Sequence, residues 1–437
     1  MKKFLTIAIA IALAAMIAAP AMATDVTFSG SYRVQGTLAE SLDLDERSAN
    51  DTVMDHRFRL QTKFAVNDML AVTTRFDALD GTYWGTNGAD ATSGGPNINW
   101  DRTWMSIKTA DYGSFDIGRM SGGTWFNSVF DTEVQRDRIK WVYSGIENWT
   151  FFFIYDARIE SDGGSYTTIG IPAVRNTYRT GEASDQDRND YYPAFVYKAE
   201  NWSFGMLYGY IHNKTVANTA TVLHLFDPEF KGQWGPLAVQ AALVYLTGES
   251  DIDGATPDVD WNGWGWNLEG TYDFGPAKLM LGAGFQSGED LDATQISRWP
   301  FGFGRDWNYP LLIMTGNDGP WLDLLGNGAG NLGNNAYQAG AMLFYGGVSF
   351  APIETVTLGA NFGFSNADET ENIGPGIDDD QGAELDFILN WKIYDNLTYK
   401  AVFAYYWAGD LYRDCGGIPN ANFDDATGFY NSLVMSF

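Results

Sequence analysis

Residues 26–38 read VTFSGSYRVQGTL. Val26, Phe28, Tyr32, Val34 and Leu38 fall on one side of an extended chain, and Thr27, Ser29, Ser31, Arg33, Gln35 and Thr37 on the other. That is the period of two that a β-strand imposes on its side chains. An apolar outer face and a polar inner face is the pattern of a strand that crosses a membrane as part of a barrel. The pattern continues past an acidic stretch (Asp43, Asp45, Glu46, Asp51). The next strand turns Phe58, Leu60, Phe64 and Val66 outward and Asp55, Arg57, Arg59, Gln61 and Lys63 inward. Asn67 and Asp68 form a tight hairpin turn. A third strand then sets Leu70, Val72 and Phe76 against Thr73, Arg75 and Asp77.

Outward from this start the rhythm of tight turn, strand, long polar loop, strand runs to the end. Further short turns are expected at residues 111–113, 145–148, 199–201, 235–236, 275–276, 351–354 and 395–396. With Asn67–Asp68 they make about eight short turns against about nine long loops, hence about 18 strands, 16 being the nearest alternative, with both chain ends on the short-turn side. Aromatic residues such as Trp149, Trp202, Trp391 and Trp407 crowd the strand ends, where rings would sit at the two membrane interfaces. A soluble sandwich would alternate too, but its apolar face would seldom carry so much Trp and Tyr in so many strands. The expected fold is therefore all-β, a transmembrane antiparallel barrel over residues 24–437.

The ends and the composition agree. Residues 1–23 read as a secretory leader: Lys2 and Lys3, an apolar run from Phe4 to Ala19, then Ala21, Met22 and Ala23 as a cleavage motif. The run is short for a spanning helix, and no later stretch approaches the ~20 apolar residues that one needs. Removing the leader takes the formal charge from −28 to about −30, which argues against a nucleic-acid partner. A single cysteine, Cys415, excludes an internal disulfide. His56, His212 and His224 are scattered without zinc or haem spacing, no Ser, His and acid trio stands out, and no catalytic residue, metal or cofactor is expected.

Residues 111–143, DYGSFDIGRMSGGTWFNSVFDTEVQRDRIKWVY, interrupt the rhythm. A short strand, residues 113–119, leads into an irregular segment, residues 120–137, and then into a strand in which Ile139, Trp141 and Tyr143 alternate with Arg138 and Lys140. The spacing of Gly113, Phe115, Gly118 and Arg119, and the arginine-flanked return strand after an acid-bearing loop, resemble general bacterial porins. The alternation that ends in Leu433, Met435 and Phe437 is similar to the terminal strand of bacterial outer-membrane barrels. The resemblance implies a Gram-negative outer-membrane porin, a passive channel for small hydrophilic solutes and ions, with a homotrimeric assembly and lipopolysaccharide around it. It also implies that residues 120–137 fold inward as a constriction loop.

On that reading the pore is narrowed by Arg57, Arg59, Arg75, Arg102, Arg119, Arg138 and Lys140 on one side and by Asp131 and Glu133 on the other. In strict alternation Arg119 shares a face with Phe115 and Ile117, and a bulge would flip a face. Arg33, Lys63 and Lys108 also turn inward early in the chain, and Glu269, Asp273, Glu384 and Asp386 late in it. Either these charges create a transverse field across the lumen or they form salt bridges that stiffen the wall. Trp125 and Phe126 are either an apolar lip or packing for the loop. Residues 287–336 are read as a long extracellular loop that covers the mouth or holds a short helix near residues 320–325. The acidic rim clusters are solvated charge or sites for divalent cations shared with lipopolysaccharide. The arginine-rich lumen favours anions and the acidic mouth cations, and lumenal charge is the less screened, since salt cuts off exposed charge within ~8 Å. The alternatives to a general porin are a channel specific for sugars or carboxylates, a plugged structural or adhesive barrel, and a sheath around an electron-transfer partner.

Overall fold

The computed structural model describes residues 25–47, 51–84, 98–122, 125–127, 134–159, 165–168, 177–180, 187–216, 219–253, 257–292, 294–299, 310–316, 324–325, 338–415 and 423–437. The barrel strands are β1 Asp25–Glu40, β2 Asp51–Asn67, β3 Leu70–Tyr83, β4 Ile98–Lys108, β5 Ser114–Gly122 and β6 Val134–Ile146. There follow β7 Trp149–Ile159, β8 Arg188–Lys198, β9 Trp202–Asn213, β10 Thr219–Trp234, β11 Leu237–Ile252 and β12 Val259–Asp273. The circuit ends with β13 Ala277–Gln286, β14 Ala341–Ile353, β15 Val356–Asn366, β16 Asp380–Tyr394, β17 Leu397–Ala408 and β18 Ala426–Ser436.

Each strand pairs antiparallel with its neighbour in sequence, and β18 pairs with β1, from Ser31 opposite Ser436 to Glu40 opposite Thr427. The barrel is thus closed at 18 strands, with no sheet edge left to be satisfied in lipid. At the seam Gly30 N–H donates to Phe437 O (2.9 Å) and Phe437 N–H to Gly30 O (3.0 Å). A short helix, α1 Asp410–Asp414, and two small strand pairings lie outside the circuit: Ser165–Thr168 with Thr177–Thr180, and Gln295–Ile296 running parallel to β12. Among the described residues no helix is long and apolar enough to cross a membrane.

All eight short connections fall where turn residues stand, and the other end carries nine connections, of which 214–218 and 253–258 are short. Asn67 shows how a turn is set: its Oδ1 accepts the Met69 N–H at 2.8 Å. Two boundaries differ from expectation. Strand β14 runs to Ile353, which shifts the turn to residues 354–355, and β5 and β6 extend into the irregular segment from both sides, leaving residues 123–133 as the connection.

The apolar face points out. Phe28, Trp100, Leu281, Val348 and Phe387 are exposed, as residues that meet lipid must be. On the short-turn side rings touch from strand to strand, Trp149 to Tyr197 (5.0 Å), Tyr197 to Trp202 (5.4 Å) and Trp202 to Phe230 (6.1 Å), and along β10 from Phe230 to Trp234 (6.0 Å). Such a girdle holds a barrel at the membrane interface.

The buried apolar core lies inside the barrel. One cluster joins Ile211, Leu223, Val244 and Leu246 on β9–β11 with Leu343, Val402, Ala404 and Tyr406 on β14 and β17. Between these strands it contains Leu311, Leu312, Ile313, Met314, Leu324 and Leu325 from the connection after β13. That part of the predicted extracellular loop is therefore inside the barrel. Leu44, Leu411 and Tyr412 from two other connections complete the cluster.

Candidate functional site

Alternation places a ladder of arginines on the inner face of β1–β8, and most rungs find an acid on a neighbouring strand or on their own. Arg33 lies 3.7 Å from Asp55, and Arg33 and Arg57 each lie 3.9 Å from Asp80. Asp80 reaches them because β3 carries extra residues opposite His56 and Phe58, with Leu79 at φ 63° and Gly81 at φ 70°. Arg59 grips Asp77 through two bonds of 2.7 Å. Arg75 Nε donates to both carboxyl oxygens of Asp101, at 3.1 and 2.9 Å, and Arg102 Nε lies 3.9 Å from the same acid. A bulge in β4 makes this possible: Arg75 opposes Arg102 and Phe76 opposes Trp100, so Asp101 is the additional residue. Arg138 grips Asp156 through two bonds of 2.7 Å and donates to Ser121 O at 3.0 Å. Arg158, Arg188 and Tyr192 converge on Asp190 at 3.0, 3.1 and 3.0 Å.

The predicted lining residues divide accordingly. Arg57, Arg59, Arg75, Arg102, Arg138 and Lys140 stand on the inner face. Arg119 does not, which corrects the expectation for it. It pairs with Asp137 at 2.9 Å on the face of Ile117 and Ile139, both exposed, because alternation along β5 runs unbroken. Asp131 and Glu133 lie outside the described residues. Arg136, Arg158 and Arg188 were missed. Arg136 was legible, being two residues before Arg138 and so on its face; Arg158 was equally legible from Asp156, while Arg188 follows a long connection that hides the strand's phase. Among the described residues Lys63, Lys108, Arg136 and Lys140 have no carboxylate within 4 Å, so the wall keeps an excess of cations over its paired acids.

The later carboxyls do not form an open acidic wall. Glu269 accepts from Tyr345 Oη (3.0 Å) and Gln240 Nε2 (3.1 Å), and Asp273 pairs with Lys278 (3.3 Å). Glu384 and Asp386, both buried, receive backbone N–H groups from the long connection. Leu312 donates to Asp386 Oδ2 (3.0 Å), Ile313 to Glu384 Oε1 (2.8 Å) and Met314 to Glu384 Oε2 (2.6 Å). Asn361 Nδ2 holds Pro310 O at 2.9 Å.

The connection after β5 behaves similarly and reaches across the lumen. Asn127 N–H donates to Glu229 Oε2 at 2.5 Å, and its Nδ2 to Ala241 O (3.1 Å) and Phe230 O (3.3 Å). Lys231 Nζ donates to Phe126 O (2.8 Å) and sits 4.3 Å above the Phe126 ring, while Trp125 meets Phe152 edge-on at 5.5 Å. Gly205 leaves room for Phe126: a Cβ there would stand 3.1 Å from the ring. Trp125 and Phe126 therefore pack against the wall. Two infolded segments thus reduce the lumen, leaving the arginine ladder as its polar side.

A family model described as Gram-negative porin matches residues 8–310. A search of curated protein sequences returns no match. Among solved structures the chain is similar to Acinetobacter baumannii OccAB1, with a TM-score of 0.57 and 12% identity over 96% of this chain and 98% of that one. It is also similar to Pseudomonas aeruginosa OccK8 (OprE), with a TM-score of 0.54 and 12% identity over 94% and 98%. A third likeness is to the outer membrane protein opdK from Pseudomonas aeruginosa, with a TM-score of 0.53 and 11% identity over 94% and 98%. At these identities the likeness is one of fold.

Proposed function

Since the chain belongs to the Gram-negative porin family, we propose that its barrel is an outer-membrane channel through which small hydrophilic solutes pass down their gradients, with anions favoured. The observation that carries this reading is the arginine ladder on β1–β8, whose cations outnumber their acid partners along the polar side of the lumen. A passing anion exchanges water for guanidinium and ammonium donors there, and low-dielectric walls strengthen the attraction. Arg57, Arg59, Arg75, Arg102, Arg138 and Lys140 line this path, and Asp131 and Glu133 narrow it from the connection after β5. The protein works as a homotrimer within lipopolysaccharide, after its leader is removed before Thr24.

Planar-bilayer recording under a salt gradient tests the reading. Stepwise openings with an anion-directed reversal potential are expected, and a cation-directed potential overturns the preference. Replacing Asp131→Asn and Glu133→Gln should move the potential further toward anions. Unchanged selectivity would remove both from the constriction.

One observation favours a second reading, a plugged structural barrel. The apolar cluster runs from β9–β11 to β17 through the infolded residues 311–314. Proteoliposomes of a plugged barrel would not swell in an osmotic gradient of a small sugar or carboxylate, whereas a channel would admit the solute.

A further inference from the structure

We infer that Glu384 and Asp386 are positioning residues that set the open cross-section of the pore, by holding residues 310–316 inside the barrel. The inference rests on the channel reading and concerns what determines its bore.

The physical problem is local. An irregular segment inside a barrel has N–H groups without a ladder partner, and a buried N–H needs an acceptor. A strand can offer two adjacent acceptors on its inner face only at positions i and i+2. Glu384 and Asp386 are such a pair on β16, and three successive amides, those of Leu312, Ile313 and Met314, converge on them. The wall around the pair is cut to fit the segment. Gly363 leaves the space that Leu311 fills, since a Cβ there would lie 2.5 Å from Leu311 Cδ1, and Ile313 rests against Gly428. The same device recurs on another wall, where Glu229, two residues from Asp227 on β10, receives the Asn127 amide. Each infolded connection is therefore anchored through backbone N–H groups to an inward carboxyl of a wall strand.

Glutamine and asparagine keep the shape of these side chains but lose the second acceptor. In Glu384→Gln one oxygen becomes an NH2 that faces a backbone N–H, two donors in opposition. The double variant Glu384→Gln/Asp386→Asn should release the segment, and single-channel conductance should rise roughly twofold as the lumen opens toward its unfilled bore. To separate segment position from pore charge, the double variant is combined with Ile313→Cys and Gly428→Cys. The ideal Cβ at position 428 lies 3.6 Å from Ile313 Cγ1, the site that the sulfur introduced at position 313 would take, which brings the two thiols together. Cys415→Ser removes the one competing thiol. Reduced protein should show the large conductance and oxidised protein the wild-type value.

Unchanged conductance in a folded, heat-modifiable double variant overturns the inference, as does an increase that oxidation fails to reverse. If the double variant does not fold, Gly363→Val, which displaces Leu311 and retains both carboxyls, its position facing Glu384 across the β15–β16 pair, should enlarge the conductance, and no enlargement overturns the inference. Wild-type protein that stays silent while the released variant conducts removes the open-channel reading and upholds the latch. Silence from both removes the latch as well.

Discussion

Arg138 shows how the lumenal wall depends on single residues. Its guanidinium closes two 2.7 Å bonds on Asp156, which is 1% exposed. Arg138→Ala leaves that acid buried without its cation and should cost about 3 kcal/mol. Urea unfolding in detergent should show the loss, and the double variant Arg138→Ala/Asp156→Ala should recover much of it. Arg119 makes the opposite case. Paired with Asp137 on the outer face, it is remote from any lumenal ion. Arg119→Ala should leave the reversal potential unchanged, and a shift toward cations would return it to the pore. The inward arginines were legible from period two alone. Their partners were less so: Asp101 reaches Arg75 because of a bulge that no residue of β4 announces.

The connections between strands carry the next scale, and one of them should respond to pH. Asp368 accepts the Gly288 N–H at 2.9 Å, and burial holds its carboxyl above the usual range. Glu369 beside it is raised by burial and then by the charge of Asp368. A carboxyl raised on folding binds its proton more tightly in the folded state. Stability is then fully present below the ordinary carboxylate values and falls as pH rises through the shifted ones. Amides of residues 287–292 and 367–369 should be better protected from hydrogen exchange near pH 4 than near pH 7, after correction for intrinsic rates. Asp368→Asn/Glu369→Gln should shrink the difference to the part due to Glu289, whose carboxyl burial also raises, and equal protection in the wild type would exclude these groups as its source. Turn positions and strand lengths were readable here within a few residues, whereas the path of residues 310–316 was not. Its Leu-Leu-Ile-Met run is equally compatible with a mouth cover, a helix or an infolded wall.

For the whole molecule, closure is the decisive event, and the seam between β1 and β18 is where it is completed. Phe437 contributes two backbone hydrogen bonds with Gly30 and a ring stacked on Phe58 at 6.1 Å. Deleting Phe437 should lower the temperature at which the folded barrel unfolds on a gel, while channels already formed should conduct as before. An unchanged unfolding temperature would mean that the rest of the seam suffices. The amino-acid sequence by itself determined the barrel, its 18 strands, the face of nearly every residue and the side on which the short turns lie. Alternation is a local property: each residue's face follows from its neighbours, and lipid outside against water inside makes the two faces chemically distinct. Only the tertiary structure decided what fills the lumen. The amides at 312–314 and the carboxyls of Glu384 and Asp386 lie about seventy residues apart in the chain. A backbone N–H looks the same in every residue, so no local pattern says which acid it will meet.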